Sequence, residues 1–340
     1  MMGLRSMVFG WQIGLWINGV ILGIVAIATF LGFASQWWWG FSYLDYPRPQ
    51  YCLVLLIGIL INLFAPQPGA VKVWHLPWGI PLLANVIFIA PLFIAPNSTP
   101  LTPNFQRLGV LHATFDRDNP DPQQLIQYLN EKPIDVVSIL EITPDTLPQF
   151  EAGLTNYQLV AAEPRYTSHG SAWFVSKGAI AAGMKPLSSE VIHLPADSDR
   201  PILTMTVSID GEPITFVCFH AIRPQSAARL DYQAQEFTAL AHWSQQQTQA
   251  GDKWVVIGDF NSTPWARLFR EILQTQEWVN SQPGFGLQPT WNSQFPKFLQ
   301  IPIDHCFHSP IFKTLRREVG AKIGSDHLPL FVELGWNRAN

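Results

Sequence analysis

The sequence predicts an α+β fold of two packed β-sheets flanked by helices, preceded by an N-terminal helical transmembrane region. Three observations carry this. The first hundred residues are nearly free of charge, whereas the rest has an ordinary acidic composition. Beyond them, short apolar runs separated by turn signals outnumber helical patterns. One of those runs, Trp254-Val255-Val256-Ile257, is rich in β-branched residues and reads as a strand buried on both faces. The chain has 340 residues, enough for more than one domain.

Residues 1–95 form the predicted transmembrane region, with two or three helices. Residues 1–103 carry only Arg5, Arg48, Lys72 and Asp45 as charges, far too few for a soluble helical domain. Trp11 to Phe33 is uncharged and long enough for the ~30 Å hydrocarbon layer, which takes about 20 residues. Trp37, Trp38 and Trp39 follow it, where indole rings anchor at the membrane interface. A cleaved signal peptide would have a shorter apolar core and a small-residue cleavage site, so the segment reads as an anchor in a lipid bilayer. Tyr51–Ala65 is a second apolar run, short for a span. His75–Ile94 is a third, interrupted by Pro77, Pro81 and Pro91, which a membrane helix tolerates. With three spans, Arg5 and Lys72 share one side and the positive-inside rule makes the C-terminal domain extracytoplasmic. With two spans the domain returns to the cytoplasm. Three spans are the favoured count.

A proline- and hydroxyl-rich stretch around Ala95–Asn104 marks a linker, taken as 96–106, and the second domain covers 107–335. Removing the four N-terminal charges from the 21 Lys+Arg and 25 Asp+Glu of the chain leaves 18 and 24, a net charge of −6. No basic footprint for passively holding nucleic acid is present. Predicted strands are Leu108–Ala113, Ile134–Leu140, Tyr157–Ala162, Ala172–Val175, Leu203–Ile209, Ile214–His220, the Trp254 run, Ile303–Phe307 and Leu330–Leu334. Asp210-Gly211 reads as a hairpin turn. Gln123–Asn130 is a short helix. Gln225–Gln247 is a long one, with Leu230, Ala234, Phe237, Leu240 and Ala241 on its apolar face. Gly258 is expected to end the Trp254 strand. Ser262 or Thr263 would then cap a helix with Pro264 in its first turn and Trp265, Leu268, Phe269 and Ile272 as its stripe. Cys52, Cys218 and Cys306 lack metal-ligand spacing and read as buried thiols rather than a disulfide.

Polar residues recur where these strands stop: Glu141, His220, Asp259 with Asn261, Asp304, and Asp326-His327. Asp259 and Asn261, two apart on extended backbone, aim their side chains the same way. An acid inside a strand pattern, as at Asp304, needs a partner. Carboxylates and an amide suit Mg²⁺, a hard ion that takes one or two protein carboxylates and keeps several waters. A histidine oriented by a carboxylate suits acid–base work.

The ordered set Leu140-Glu141, Cys218-Phe219-His220, Gly258-Asp259-Phe260-Asn261, Thr290-Trp291, Ile303-Asp304-His305 and Ser325-Asp326-His327-Leu328-Pro329-Leu330 resembles the endonuclease/exonuclease/phosphatase family. The resemblance runs from about Leu108 to Leu334. It implies a deoxyribonuclease-like four-layer sandwich and metal-assisted attack of water on a phosphate ester, nucleic acid or lipid head group. It implies that Glu141 binds Mg²⁺ (Mn²⁺ as substitute), with Asp326 at the metal or at a bound water. By the same resemblance Asp259 and Asn261 orient water and phosphate, His327 pairs with Asp304 and acts at the phosphate as general base or as electrostatic partner, and His220 hydrogen-bonds a phosphate oxygen. The family's first strand ends in a metal-side asparagine. Here Thr114 stands in its place: its hydroxyl contacts a metal-bound water, Asp116 or Asn119 substitutes for the asparagine, or metal binding is weaker. The competing reading is an inactive binding module on the same fold, for which Thr114 is the sole support. There is no Gly-x-Ser-x-Gly elbow for a serine hydrolase. His112, His169 and His193 receive no role, although His169 precedes a strand near the expected cleft. No protein partner is indicated.

Overall fold

The computed structural model describes residues 2–64, 76–96, 100–275 and 278–338. Lys72, Ala65 and Asn97-Ser98-Thr99 of the predicted linker lie outside the described residues, as does the side chain of Arg5. The chain divides into two compact units, Met1–Pro91 with Trp265–Arg267, and Leu92–Pro264 with Leu268–Asn340.

The first unit holds α1 (Met2–Phe33), α2 (Arg48–Phe64) and α3 (Leu76–Ile89), one for each apolar run of the sequence. Its polarity is inverted relative to a protein in water. Asn18 donates from Nδ2 to the Gly58 carbonyl and to Asn62 Oδ1, both at 3.0 Å. Arg48, 1 % exposed, pairs with Asp45 and donates to Asn85 Oδ1 at 2.9 Å. Asn85 in turn donates to Thr29 Oγ1. Trp16, Ile24, Ile27, Ile57, Ile80 and Leu83 face outward. Buried polar groups are thus paired within the unit while large apolar side chains lie on its surface. Among the described residues one helix, Trp11–Phe33, is long and apolar enough to cross a membrane. Arg48–Phe64 and Pro77–Phe93 are shorter apolar helices.

The second unit runs, in chain order, β1 (Gln106–Thr114), α4 (Gln123–Asn130), β2 (Val136–Leu140), α5 (Leu147–Gly153), β3 (Tyr157–Glu163), β4 (Ser171–Ser176), α6 (Lys177–Ala181), β5 (Lys185–His193), β6 (Pro201–Ile209), β7 (Glu212–His220), α7 (Ala227–Ala250), β8 (Lys253–Asp259), α8 (Arg267–Thr275), β9 (Val279–Asn280), β10 (Asp304–His308), β11 (Lys313–Val319) and β12 (Leu330–Trp336). The described strands make two six-stranded mixed sheets, ordered β11-β12-β1-β2-β4-β3 and β5-β6-β7-β8-β10-β9. In each the central pair, β1 with β2 and β7 with β8, is parallel, and its neighbours are antiparallel.

The period of two along a strand sorts side chains between layers. Leu108, Val110, Val136 and Leu140 from one sheet meet Phe216, Cys218, Val255, Ile257 and Cys306 from the other in the central core. Trp173 of β4 crosses it, donating from Nε1 to the Leu203 carbonyl of β6 at 3.1 Å. Each such fully buried side chain contributes about 1.5–3 kcal/mol. Leu111, Ala113, Val137 and Ile139 face the other way, against Leu125, Leu129 and Phe150 of α4 and α5. On the far face of the second sheet Phe219 and Phe307 pack with Phe237 of α7 and Phe269 of α8. Helices therefore cover both outer faces, as the expected sandwich requires. Cys218 and Cys306 are buried free thiols.

Two expectations need correction. Gly258 does not end its strand: β8 continues to Asp259, and Gly258 pairs with Phe219 and His305. A Cβ there would lie 1.8 Å from the Phe219 carbonyl oxygen, so the glycine permits a close approach of β7. The helix after Pro264 starts only at Arg267, and neither Ser262 nor Thr263 caps it, because the chain first makes a turn through Pro264–Ala266. Strands β5 and β11 escaped prediction because they are edges: β5 is exposed from Lys185 to Val191, so no alternation marks it.

Gly258→Ala is expected to force β7 and β8 apart and cost more than the ~1 kcal/mol of a typical substitution. Thermal unfolding followed by tryptophan fluorescence tests this; an unchanged midpoint would show that the approach tolerates a methyl group.

Candidate active site

The inward-facing rows of four strands turn polar at the same end. On β1 the row Leu108, Val110 continues into His112 and Thr114. On β7 it ends at His220, on β8 at Asp259, and on antiparallel β10 it begins at Asp304. Register places His220 opposite Asp259, and Asp259 opposite Asp304. Glu141 follows β2 directly, beside the end of β1, where Thr114 pairs with Leu140. His327 arrives from the segment before β12, bridged to Trp291.

Asp304 is 1 % exposed and sits between two histidines. His327 Nδ1 lies 3.0 Å from its Oδ2 and 3.3 Å from its Oδ1. His112 Nε2 lies 3.5 Å from Oδ1. Burial pushes the Asp304 carboxyl up, but His327 and His112 together hold it well below the ordinary range. Burial opposes the charge on His327, yet Asp304, its hydrogen bond and Asp259 lift the imidazole to about 10. The contact thus favours the imidazolium and carboxylate forms of the pair. Asp259 has the opposite fate: burial and the neighbouring Asp304 raise it to about 7, although His327 and Arg223 oppose this.

The Asn261 backbone N–H donates to Asp259 Oδ1 at 2.7 Å, and its Nδ2 donates to Oδ2 at 3.0 Å and to the Ala221 carbonyl at 2.9 Å. Asp259 Oδ2 faces His220 Nε2 at 3.6 Å and His327 Nε2 at 3.9 Å, longer than direct hydrogen bonds. His220 Nδ1 is 2.9 Å from the Ser168 carbonyl and so carries the proton. Burial and the nearby Arg200 keep the ring neutral, which leaves Nε2 a lone pair toward Asp259.

Glu141 accepts from the Arg117 backbone N–H at 3.2 Å, and among the described residues its carboxylate has no salt bridge. Burial raises its pKa, and the charge of His327 acts to lower it. Its φ of +64° is a left-handed conformation that a glutamate rarely adopts. A desolvated carboxylate short of positive charge fits a hard cation. Among the described residues no group of three His, Cys, Asp or Glu side chains is placed to hold a metal ion. One oxygen of Asp326, Oδ2, accepts from Trp291 Nε1 at 2.8 Å. The Thr114 hydroxyl lies against His112 Nε2 at 3.3 Å.

Of the residues singled out in the sequence, His220, Asp259, Asn261, Asp304 and His327 form one connected cluster, with Glu141 within its field. His112 was missed. Its signal was its parity with Leu108 and Val110, which places an imidazole in an inward row. Glu236 and Gln233 were missed too. Both occupy buried positions on the face of α7 marked by Leu230, Phe237 and Leu240. Glu236 accepts from Arg200 Nε and from the Ile222 N–H, both at 2.7 Å.

Residues 104–327 match the profile of the Endonuclease/Exonuclease/phosphatase family. No curated protein sequence matches. Among solved structures, an endonuclease/exonuclease/phosphatase family protein from Bacteroides thetaiotaomicron is similar at a TM-score of 0.55 and 16% identity, over 69% of this chain and 100% of that one. TDP2 from D. rerio complexed with single strand DNA product gives 0.53 and 16%, over 67% and 98%. A mannosyl-6-phosphatase from Bacteroides thetaiotaomicron gives 0.54 and 16%, over 67% and 99%. At these identities the structural likeness is one of fold. Because the family profile spans well over half of its length, the chain belongs to the Endonuclease/Exonuclease/phosphatase family.

Proposed function

We propose that this chain is a membrane-anchored, Mg²⁺-dependent phosphoesterase that directs water onto a phosphodiester or phosphomonoester. The observation that carries the reading is the pairing of Asp304 with His327 beside Asp259, two carboxylates in register whose proton affinities are driven apart. Such divergence is how one site supplies both an acid and a base.

In this reading Asp259, near pH 7, takes the proton of the attacking water, since a base is most effective with a pKa close to the working pH. The His220 Nε2 lone pair accepts the water's other hydrogen. Donation from His220 to a phosphate oxygen, the role implied by resemblance, would need the charged ring that burial and Arg200 oppose. His327 keeps its charge on Asp304, and its Nε2–H stabilises the negative charge gathering on the phosphoryl oxygens. Asn261 locks Asp259 in place. Glu141 would hold Mg²⁺, with Asp326 at a coordinated water and Thr114 behind them; bound there, the ion would neutralise charge on the phosphate and leaving group.

The anchor rests on the inverted polarity of the helical unit. Counting its three helices as spans puts Arg5 and Lys72 opposite the catalytic domain, which the positive-inside rule then makes extracytoplasmic. The substrate is a phosphate ester, from nucleic acid or a lipid head group. The solved neighbours include one complexed with single strand DNA product and one named as a mannosyl-6-phosphatase. The acidity of residues 104–340 disfavours tight passive binding of nucleic acid.

Purified full-length protein should hydrolyse one class among DNA, RNA, a simple phosphodiester, a phosphomonoester and lipid vesicles, only with Mg²⁺ or Mn²⁺. His327→Ala should lower turnover by about 10²–10⁴-fold; near-normal turnover would remove it from the mechanism. Silence across the panel, with no Mg²⁺ binding, would favour the inactive binding module. Glu141→Gln should raise the Mg²⁺ concentration for half-maximal rate, and an unchanged titration would count against its role. Thr114→Asn should be neutral or activating, because an amide there restores the family's residue. A large loss of rate would mean that the Thr114–His112 contact is required.

A further inference from the structure

We propose that Arg223 is a substrate-binding residue that takes a non-bridging oxygen of the phosphate. The proposal rests on the phosphoesterase reading and adds a residue to which neither the motifs nor the resemblance gives a role.

The segment His220-Ala221-Ile222-Arg223-Pro224 leaves β7 at the site. Nearly every backbone group in it is tied down. Arg200 Nη2 donates to the His220 carbonyl at 2.8 Å. The Ala221 N–H donates to the Asp259 carbonyl and the Ala221 carbonyl accepts from Asn261. The Ile222 N–H goes to Glu236 Oε2 at 2.7 Å, and the Ile222 carbonyl to Gln233 Nε2 at 2.9 Å. Pro224 is buried, and the Arg223 carbonyl accepts from the Gln225 N–H. Glu236 and Gln233 are each 2 % exposed, and burial raises Glu236 to about 7. A hydrophobic face of α7 thus carries two buried polar side chains whose partners are the Ile222 backbone, Arg200 and the Phe260 and Asn261 carbonyls.

What this fixed segment presents to solvent is one guanidinium. Arg223 Nε lies 3.4 Å from Asn261 Oδ1, and its Cζ stands 6.0 Å from the centroid of the Trp291 ring. Its charge reaches Asp259. The exposed Arg107, Arg117, Arg165, Arg316 and Arg338 each rest against a carboxylate, and Arg229 donates to the Gln225 amide oxygen. Arg223 has no carboxylate partner among the described residues. A guanidinium held by an amide oxygen and an aromatic face keeps its Nη donors available, and their fork matches two phosphate oxygens. Asn261 and Trp291, which steady it, are themselves bonded to Asp259 and Asp326. The cation therefore stands at the water-attack site and not on a remote surface.

The test uses full-length protein in detergent with Mg²⁺ and two readouts: calorimetric binding of inorganic phosphate, and kcat/KM on whichever ester the wild type hydrolyses. Arg223→Ala should weaken phosphate binding and lower kcat/KM, each by about 10–100-fold, the size of a lost charge-assisted pair. Arg223→Lys should recover part of both, since it keeps the charge and loses the fork. Arg229→Ala, another exposed arginine outside the site, should match the wild type. Phosphate affinity unchanged in a folded Arg223→Ala protein would overturn the proposal, as would a wild type that binds no phosphate. Arg223-dependent phosphate binding without hydrolysis of any ester would sustain it while sinking the phosphoesterase reading. Hydrolysis that ignores Arg223 would do the reverse.

Discussion

The site depends on a register constraint: β8 and β10 pair so that Asp259 and Asp304 stand opposite each other, both buried. Like charges directly across a sheet destabilise it, and burial of each carboxylate adds a desolvation cost. The fold answers by dividing the two. Asp304 keeps its charge because His327 and His112 approach it. Asp259, with the backbone and amide of Asn261 as its closest donors, holds its proton to about pH 7. A second buried row, Ser138 donating to Cys218 Sγ at 2.9 Å and lying 3.4 Å from His112 Nδ1, fixes the far side of the His112 ring. The chemistry of the cluster follows from one backbone pairing and the imidazoles drawn to it.

Two non-glycine residues at the site adopt left-handed backbone, Glu141 at φ +64° and Asn261 at φ +46°. Asparagine tolerates that region; glutamate does so only at a cost of about 1–3 kcal/mol, which surrounding structure has to impose. Around Glu141 that structure is visible. The Ile142 N–H donates to the Gly170 carbonyl, the Ile142 carbonyl accepts from the Arg165 N–H, and a Cβ on Gly170 would lie 1.8 Å from that same carbonyl oxygen. The turn after β2 is clamped from both sides, and the strained residue is the carboxylate that we propose holds the cation.

Much of this was legible in the sequence, for a physical reason. The central strands are buried on both faces, so their apolar runs announce them, and a polar residue closing such a run stands out: Glu141, His220, Asp259 and Asp304. What the sequence concealed were residues whose meaning lies in partners distant along the chain. His112 sits inside a run, not at its end, and only Asp304 across the layer and Ser138 beside it on β2 explain it. Edge strands β5 and β11 have too little buried face to leave a pattern. The inverted helical unit was read from lack of charge, but its buried Asn18 and Asn85 gave no sign of facing inward until their partners Gly58, Asn62 and Thr29 were placed.

The face of α7 shows what the fold gives up for the site. Leucine or phenylalanine at Gln233 and Glu236 would extend the stripe of Leu230, Phe237 and Leu240 and add apolar burial. Instead a carboxylate is desolvated far enough to raise it to about 7, with Arg200 offsetting part of that cost. Replacing buried ion pairs by apolar residues is often neutral or stabilising, so stability is a weak account of why they are here. Their hydrogen bonds reach Arg200, which itself donates to the His220 carbonyl, and the backbone of Ile222, Phe260 and Asn261, segments that carry the cluster and lead into its exposed arginine. Polar groups spent inside a hydrophobic face are explained by the position of the loop they hold.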